Sequence, residues 1–250
     1  MKLSHPFDPP RWPFLGWSTA AIAGVAAPLI VLWVLAQAGA QAGAQLGAGA
    51  NAEVSYEGAI APALAPLLSL GMMGVGMIGA AVTGRLWVGT ALAAANAAFL
   101  AILAIALGLI SAPFSAAAMI TVIAAVSIAG FSFSARGALF TRSASPLGWL
   151  VAVGVVAGEA AILVTAFVRP GALPDWLLAL LPAQWASIAL QSALGGNFTA
   201  QAFAAMAALL GTAAATLLVT YLWPRRWTYS IMFTTWLALS ALVWSSAGLA

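Results

Sequence analysis

Residues 221–250 read YLWPRRWTYSIMFTTWLALSALVWSSAGLA. Arg225 and Arg226 stand directly before an apolar run that begins near Trp227. A helix needs about 20 apolar residues to cross a hydrocarbon layer roughly 30 Å thick, and this run has that length. Basic residues flank the cytoplasmic ends of membrane helices, so the arginine pair also orients the run. Reading backward to residue 1, the same alternation recurs: an apolar run, a basic loop, an apolar run, a loop without basic residues.

Composition points the same way. Of the 250 residues, 64% are hydrophobic and 5% charged, whereas soluble domains carry roughly 25% charged residues. So few charges cannot build a water-facing surface. Backbone groups in lipid need partners within their own segment or in a closed barrel. The runs are too long, and too little alternating, for barrel strands. The expectation is an all-α polytopic bundle forming a single integral membrane domain over residues 1–250. The net charge is +3 from eight basic residues. They are dispersed over loops and form no stripe, so nucleic acid is not an expected partner. Cysteine is absent, which removes disulfides, thiolate ligands and thiol catalysis. The N-terminus lacks the pattern of a cleaved secretory signal.

The opening segment, MKLSHPFDPPRWPF, carries Pro6, Pro9, Pro10 and Pro13, which oppose a regular helix until about residue 14. Spans are predicted at about 15–37, 60–82, 88–111, 115–134, 147–168, 199–222 and 228–247. Pro28 is expected to kink the first. Gln37, Gln41 and Gln45 recur every four residues as a polar stripe beyond it. Glu53 and Glu57 suit an outer loop. Lys2, Arg11, Arg85, Arg136, Arg142, Arg225 and Arg226 then fall inside, with Arg136 and Arg142 on one inner loop. Arg169 alone falls outside, facing Asp175. The result is seven spans, N-terminus in and C-terminus out, in a bacterial cytoplasmic membrane. The stretch 175–195 reads as a short amphipathic helix near 176–194 at the outer interface. A re-entrant hairpin or an eighth span is the alternative; a crossing would put Arg225 and Arg226 on the wrong side.

Chemistry-bearing residues are few. His5 is the one histidine, so paired-histidine haem ligation and an intramembrane zinc or di-iron site lack ligands. No lysine falls within a span. No catalytic, metal or cofactor-binding residue is expected, only bound lipid. Glu159 is the one acid in a span, and intramembrane ionisable groups mark function by default. The competing reading is a neutral carboxylic acid bonded to a neighbouring helix at Asn96 or Thr165. Glu159 and Asn96 together are the candidate intramembrane polar site. Gly154 and Gly158 form a GxxxG pair, and GMMGVGMIG at 71–79 contains Gly71 and Gly74; both sets are candidates for helix packing. Trp12, Trp17, Trp87, Trp149 and Trp227 fall at predicted boundaries as interfacial anchors.

The stretch HPFDPPRWPFLGW, running into the first span, resembles the start of subunit III of haem–copper oxidases, and the seven-span layout is similar. That resemblance implies a metal-free subunit that binds lipid and supports a catalytic partner. Where that family carries a Ser-Glu pair in its third span, this chain has Asn96. The helix between spans five and six, Leu181 to Leu194, instead resembles ABC-2-type permeases, which usually end inside after six spans. The expected function is a non-catalytic subunit packed in a larger respiratory or energy-transducing membrane complex, with membrane subunits and lipids as partners. The alternatives are a permease component and, less favoured, a lipid-modifying enzyme.

Overall fold

The computed structural model describes residues 12–31, 33, 50–107, 115–169, 171–223, 225 and 227–247, and of residues 50–63 the backbone alone. Lys2, His5, Arg11, the glutamine stripe, the side chains of Glu53 and Glu57, and Arg226 lie outside the described residues.

Nine helices occur among the described residues: α1 (Pro13–Val31), α2 (Ala50–Thr83), α3 (Leu86–Ala106), α4 (Ala116–Ser143), α5 (Gly148–Val168), α6 (Asp175–Leu178), α7 (Pro182–Leu194), α8 (Ala200–Tyr221) and α9 (Trp227–Ala247). All but α6 and α7 contain a stretch long and apolar enough to cross a membrane, making seven spans among the described residues. The chain is a multi-pass helical membrane protein. Local chemistry sets the helix ends. Ser115 and Thr199 cap α4 and α8, accepting from Ala118 N at 3.1 Å and Ala202 N at 3.2 Å. Gly84, at φ 67°, ends α2 in the left-handed conformation that glycine tolerates.

The spanning part of α2, Leu64–Thr83, is the centre of the bundle, packed by α1, α3, α4, α5 and α7. Small residues make this crowding possible. A Cβ at Gly137 on α4 would overlap the Met77 carbonyl oxygen of α2, and one at Gly89 on α3 would stand 2.5 Å from the Gly76 oxygen. At Gly74 it would stand 3.0 Å from the Ala23 carbonyl carbon of α1. The glycines bring backbones into contact where no side chain fits.

Pro28 acts on α1 through the carbonyl it leaves unbonded. Its missing N–H would have paired with Gly24 O one turn earlier. The helix widens to a π turn over Ile22–Ala26, and Asn96 Nδ2 of α3 donates to Gly24 O at 2.9 Å. Gly71 leaves the gap through which that bond runs: a Cβ there would stand 3.0 Å from Asn96 Nδ2 and 3.1 Å from Gly24 O. Membrane helices tolerate proline when a neighbour satisfies the freed group. Asn96→Ala is therefore expected to cost about 1 kcal/mol, within the range for hydrogen bonds between membrane helices. In a Pro28→Ala background the intrahelical donor is restored, and that cost should fall toward zero. Unfolding of the four proteins of this cycle in mixed micelles measures the difference; equal costs in both backgrounds would refute the assignment.

Three contacts establish which ends lie together. Thr141 Oγ1 donates to Ala81 O at 3.0 Å, Arg142 Nη1 donates to Thr220 O at 2.9 Å, and Gly16 sits against Val82 and Trp149. The start of α1, the ends of α2, α4 and α8, and the start of α5 thus share one end, which bears Arg85, Arg142 and Arg225. Arg136 is not on a loop. Nothing between Phe133 and Ser143 breaks the helix, so α4 continues to Ser143 and carries Arg136 about two turns into the bundle.

The predicted interfacial helix is also placed differently. A helix does form, as α7, but Ala183, Trp185, Ala186, Ala189 and Leu190 are fully buried among α2, α4 and α8. Gln184 is half-buried and Gln191 exposed, while Ser187 of the same polar face is buried. Because α5 starts and α8 ends at the arginine-bearing end, residues 169–199 leave and return at the opposite end. Thirteen residues rise about 20 Å, too short to cross. The segment is re-entrant. Its buried alanines explain why the amphipathic pattern misled: small apolar residues suit protein neighbours as well as lipid.

Candidate functional site

Glu159 sits midway along α5, 8% exposed. Its Oε2 accepts from Ala183 N at 2.9 Å. Ala183 is the second residue of α7, whose own N-cap residue, Leu181, supplies no side-chain bond. The first turn of a helix has unpaired N–H groups and a partial positive charge. Pro182 has no N–H to satisfy, and Glu159 caps the next one from another helix. Ser69 Oγ of α2 donates to Ala183 O at 2.5 Å. Both backbone groups of Ala183 are thereby fixed at the depth of Glu159. Trp185, two residues on and fully buried, donates its indole N–H to Ala179 O at 2.7 Å.

Arg136 approaches the same region from α4. Its Nη1 donates to Ser132 O at 3.2 Å and Ser132 Oγ at 2.8 Å, and its Nη2 donates to Thr212 Oγ1 of α8 at 2.8 Å. Ser132 Oγ donates onward to Leu209 O at 2.9 Å. This network anchors α4 to α8 and holds the guanidinium in one orientation. Of its five N–H donors, one on Nη2 and the one on Nε have no acceptor among the described residues. Glu159 Oε1 likewise takes no hydrogen bond among them. Arg136 and Glu159 form no ion pair among the described residues.

Both line one cavity of about 520 Å³. Leu139 and Phe140 of α4, Val155 of α5, Thr212 and Thr216 of α8, and Met232, Phe233 and Trp236 of α9 complete most of its wall. These positions fall in the halves of their helices nearer the arginine-bearing end. Leu177, Leu180, Leu181 and Pro182 line it from the re-entrant segment, at mid-depth. α5 makes no extensive contact with α8 or α9, so the cavity occupies the cleft between them.

Other predicted residues lie elsewhere. Asn96 belongs to the α1–α2–α3 junction; it bonds Gly24 O and does not line the cavity, so the two predicted polar residues form separate features. Its Oδ1 is buried without a hydrogen-bond partner among the described residues. Thr165 Oγ1 donates to Ala161 O at 2.7 Å, within its own helix. Gly71 and Gly74 lie against α1. Gly154 and Gly158 have nothing within 4 Å of an added Cβ among the described residues; they face outward from α5, because its buried face runs through Ala152, Val156, Glu159 and Leu163. Trp12, Trp17, Trp87 and Trp227 are exposed, but Trp149 is 4% exposed and packs against Gly16. It serves the core instead of the interface. Placing Arg136 on a loop hides it as a site residue. The signal that could have found it is the unbroken helical sequence around it, with Ser132 one turn before.

The fold and cavity define a class: a seven-span membrane bundle with a re-entrant helix beside an intramembrane cavity that an arginine and a glutamate both line. The chain matches no known protein family, and no curated protein or solved structure is significantly similar to it.

Proposed function

We propose that this chain is a transport component of the membrane, and that the cavity lined by Arg136 and Glu159 is where its solute binds. The observation that carries this reading is the juxtaposition of the two. Charged side chains are expensive inside a membrane and occur where a solute or water is handled. Here each is held by its neighbours yet keeps unpaired hydrogen-bonding capacity in a cavity of ligand-binding size. The re-entrant segment between the fifth and sixth spans supports the reading, since half-crossing backbone at membrane depth is tolerated only inside protein or beside a water-filled cavity. It is also the feature in which the chain resembles ABC-2-type permeases.

The chain has no cysteine, so single-cysteine variants report cleanly on water access. Thr216→Cys and Met232→Cys are expected to react with a membrane-impermeant thiol reagent applied at the arginine-bearing side. Ala125→Cys, fully buried away from the cavity, should stay unreactive. Silence at both cavity positions from both sides of the membrane would sink the transport reading.

One observation favours a supporting role within a larger complex as well. The Gly154–Gly158 face of α5 has no neighbour among the described residues, and such faces admit a partner helix at close range. In that case Gly154→Leu should leave the isolated chain folded but strip co-purifying membrane subunits from it in mild detergent.

A further inference from the structure

The charges of the cavity point to the class of molecule it takes, an inference that rests on the transport reading. Among the described residues that line it, Arg136 and Glu159 are the ionisable side chains: α8 supplies threonines, α9 supplies Met232, Phe233 and Trp236, and the re-entrant segment supplies leucines and Pro182. The threonine hydroxyl protons are already used. Thr212 Oγ1 donates to Ala208 O at 2.7 Å, and Thr216 Oγ1 to Thr212 O at 2.7 Å. The unused donors are two N–H groups of Arg136 and the indole N–H of Trp236, which makes no hydrogen bond among the described residues. The unused charged acceptor is Glu159 Oε1.

A lone anion would satisfy Arg136 but add uncompensated negative charge beside Glu159. A lone cation would do the reverse beside Arg136. An uncompensated charge in a low-dielectric site is costly. A molecule carrying both charges adds none, and it meets each unused group with its complement. The two side chains line the same cavity and form no ion pair with each other among the described residues, so each is left to meet a partner there. The rest of the wall, Leu139, Phe140, Val155, Met232, Phe233 and Trp236, is apolar or aromatic.

We infer that the cavity binds a zwitterion with an apolar body, its acidic group on Arg136 and its ammonium group on Glu159. Two sources share that chemistry: a free hydrophobic amino acid, and the ethanolamine headgroup of a phospholipid reaching in from the cleft between α5 and α9.

The test uses the purified full chain. In detergent, the probes are L-phenylalanine, 3-phenylpropanoate, which lacks the ammonium, and 2-phenylethylamine, which lacks the carboxylate. L-phenylalanine should bind at least about tenfold tighter than either, because each analogue leaves one buried charge unpaired. Glu159→Gln should remove most of the preference over 3-phenylpropanoate, and Arg136→Gln most of that over 2-phenylethylamine. In nanodiscs, native mass spectrometry compares retained phosphatidylethanolamine with phosphatidylglycerol. Selective retention of the former, lost in both variants, assigns the lipid source and supports the inference even where L-phenylalanine does not bind. Single-charge analogues binding as tightly as L-phenylalanine, or neither amino acid nor ethanolamine lipid being held, overturns it. The wild-type comparisons stand even if a variant fails to fold. Thiol labelling of Thr216→Cys would still report separately on transport, so the solute class can fall while the transport reading survives.

Discussion

Gly137→Val is expected to prevent the bundle from closing. The first carbon of the new side chain would overlap the carbonyl oxygen of Met77 and stand 3.0 Å from Ala80 Cβ. The obstacle is the backbone of α2, the helix on which five others pack, so no rotamer change relieves it. Alanine at this position already adds the offending carbon and should cost about 1–3 kcal/mol, the usual range for overpacking. Valine adds two more and should exceed it. The measurable result is loss of monodisperse protein for valine and a lowered unfolding midpoint for alanine. Gly154→Ala is the matched control; with nothing near its Cβ, it should change stability by no more than about 0.5 kcal/mol. If Gly137→Val yields normal, stable protein, the close approach of α4 to α2 is wrong.

Glu159→Ala should have the next largest effect, and should act at a distance in sequence. It leaves Ala183 N–H buried without an acceptor, and leaves Arg136 without an opposite charge on the cavity wall. An unsatisfied buried donor costs about 1–3 kcal/mol, and the isolated cation adds to that, so a loss of about 2–4 kcal/mol is expected. Glu159→Gln also removes the charge opposite Arg136 but keeps an oxygen for Ala183, so it should lose less than the alanine variant by about 1–3 kcal/mol, the cost of the unsatisfied donor. Hydrogen exchange locates the effect: residues near 180–186 should exchange faster in the alanine variant and near normally in the glutamine one. Identical behaviour of the two variants would mean that the carboxylate does not hold the start of α7.

The spanning helices were legible in the sequence because the hydrocarbon layer imposes a length and a polarity on each one separately. Arg85, Arg142 and Arg225 marked a common end for the same local reason, and the structure gathers them there. Arg136 looked like a fourth marker because a charge beside a span is ordinarily its boundary. Only packing shows that α4 continues past it and that Ser132 and Thr212 hold it inside. Glu159 stood out as the one acid in a span, but its partner is 24 residues away, at the start of a helix whose depth no local pattern encodes.

The sequence alone thus determined that seven apolar helices cross the layer and which end carries the arginines, since lipid acts on each segment independently of the others. The tertiary structure decided which helix is central, that α7 enters the bundle and returns, and that Arg136 faces Glu159 across a cavity. Those outcomes depend on which small residues on different helices meet, and only the assembled chain brings them together.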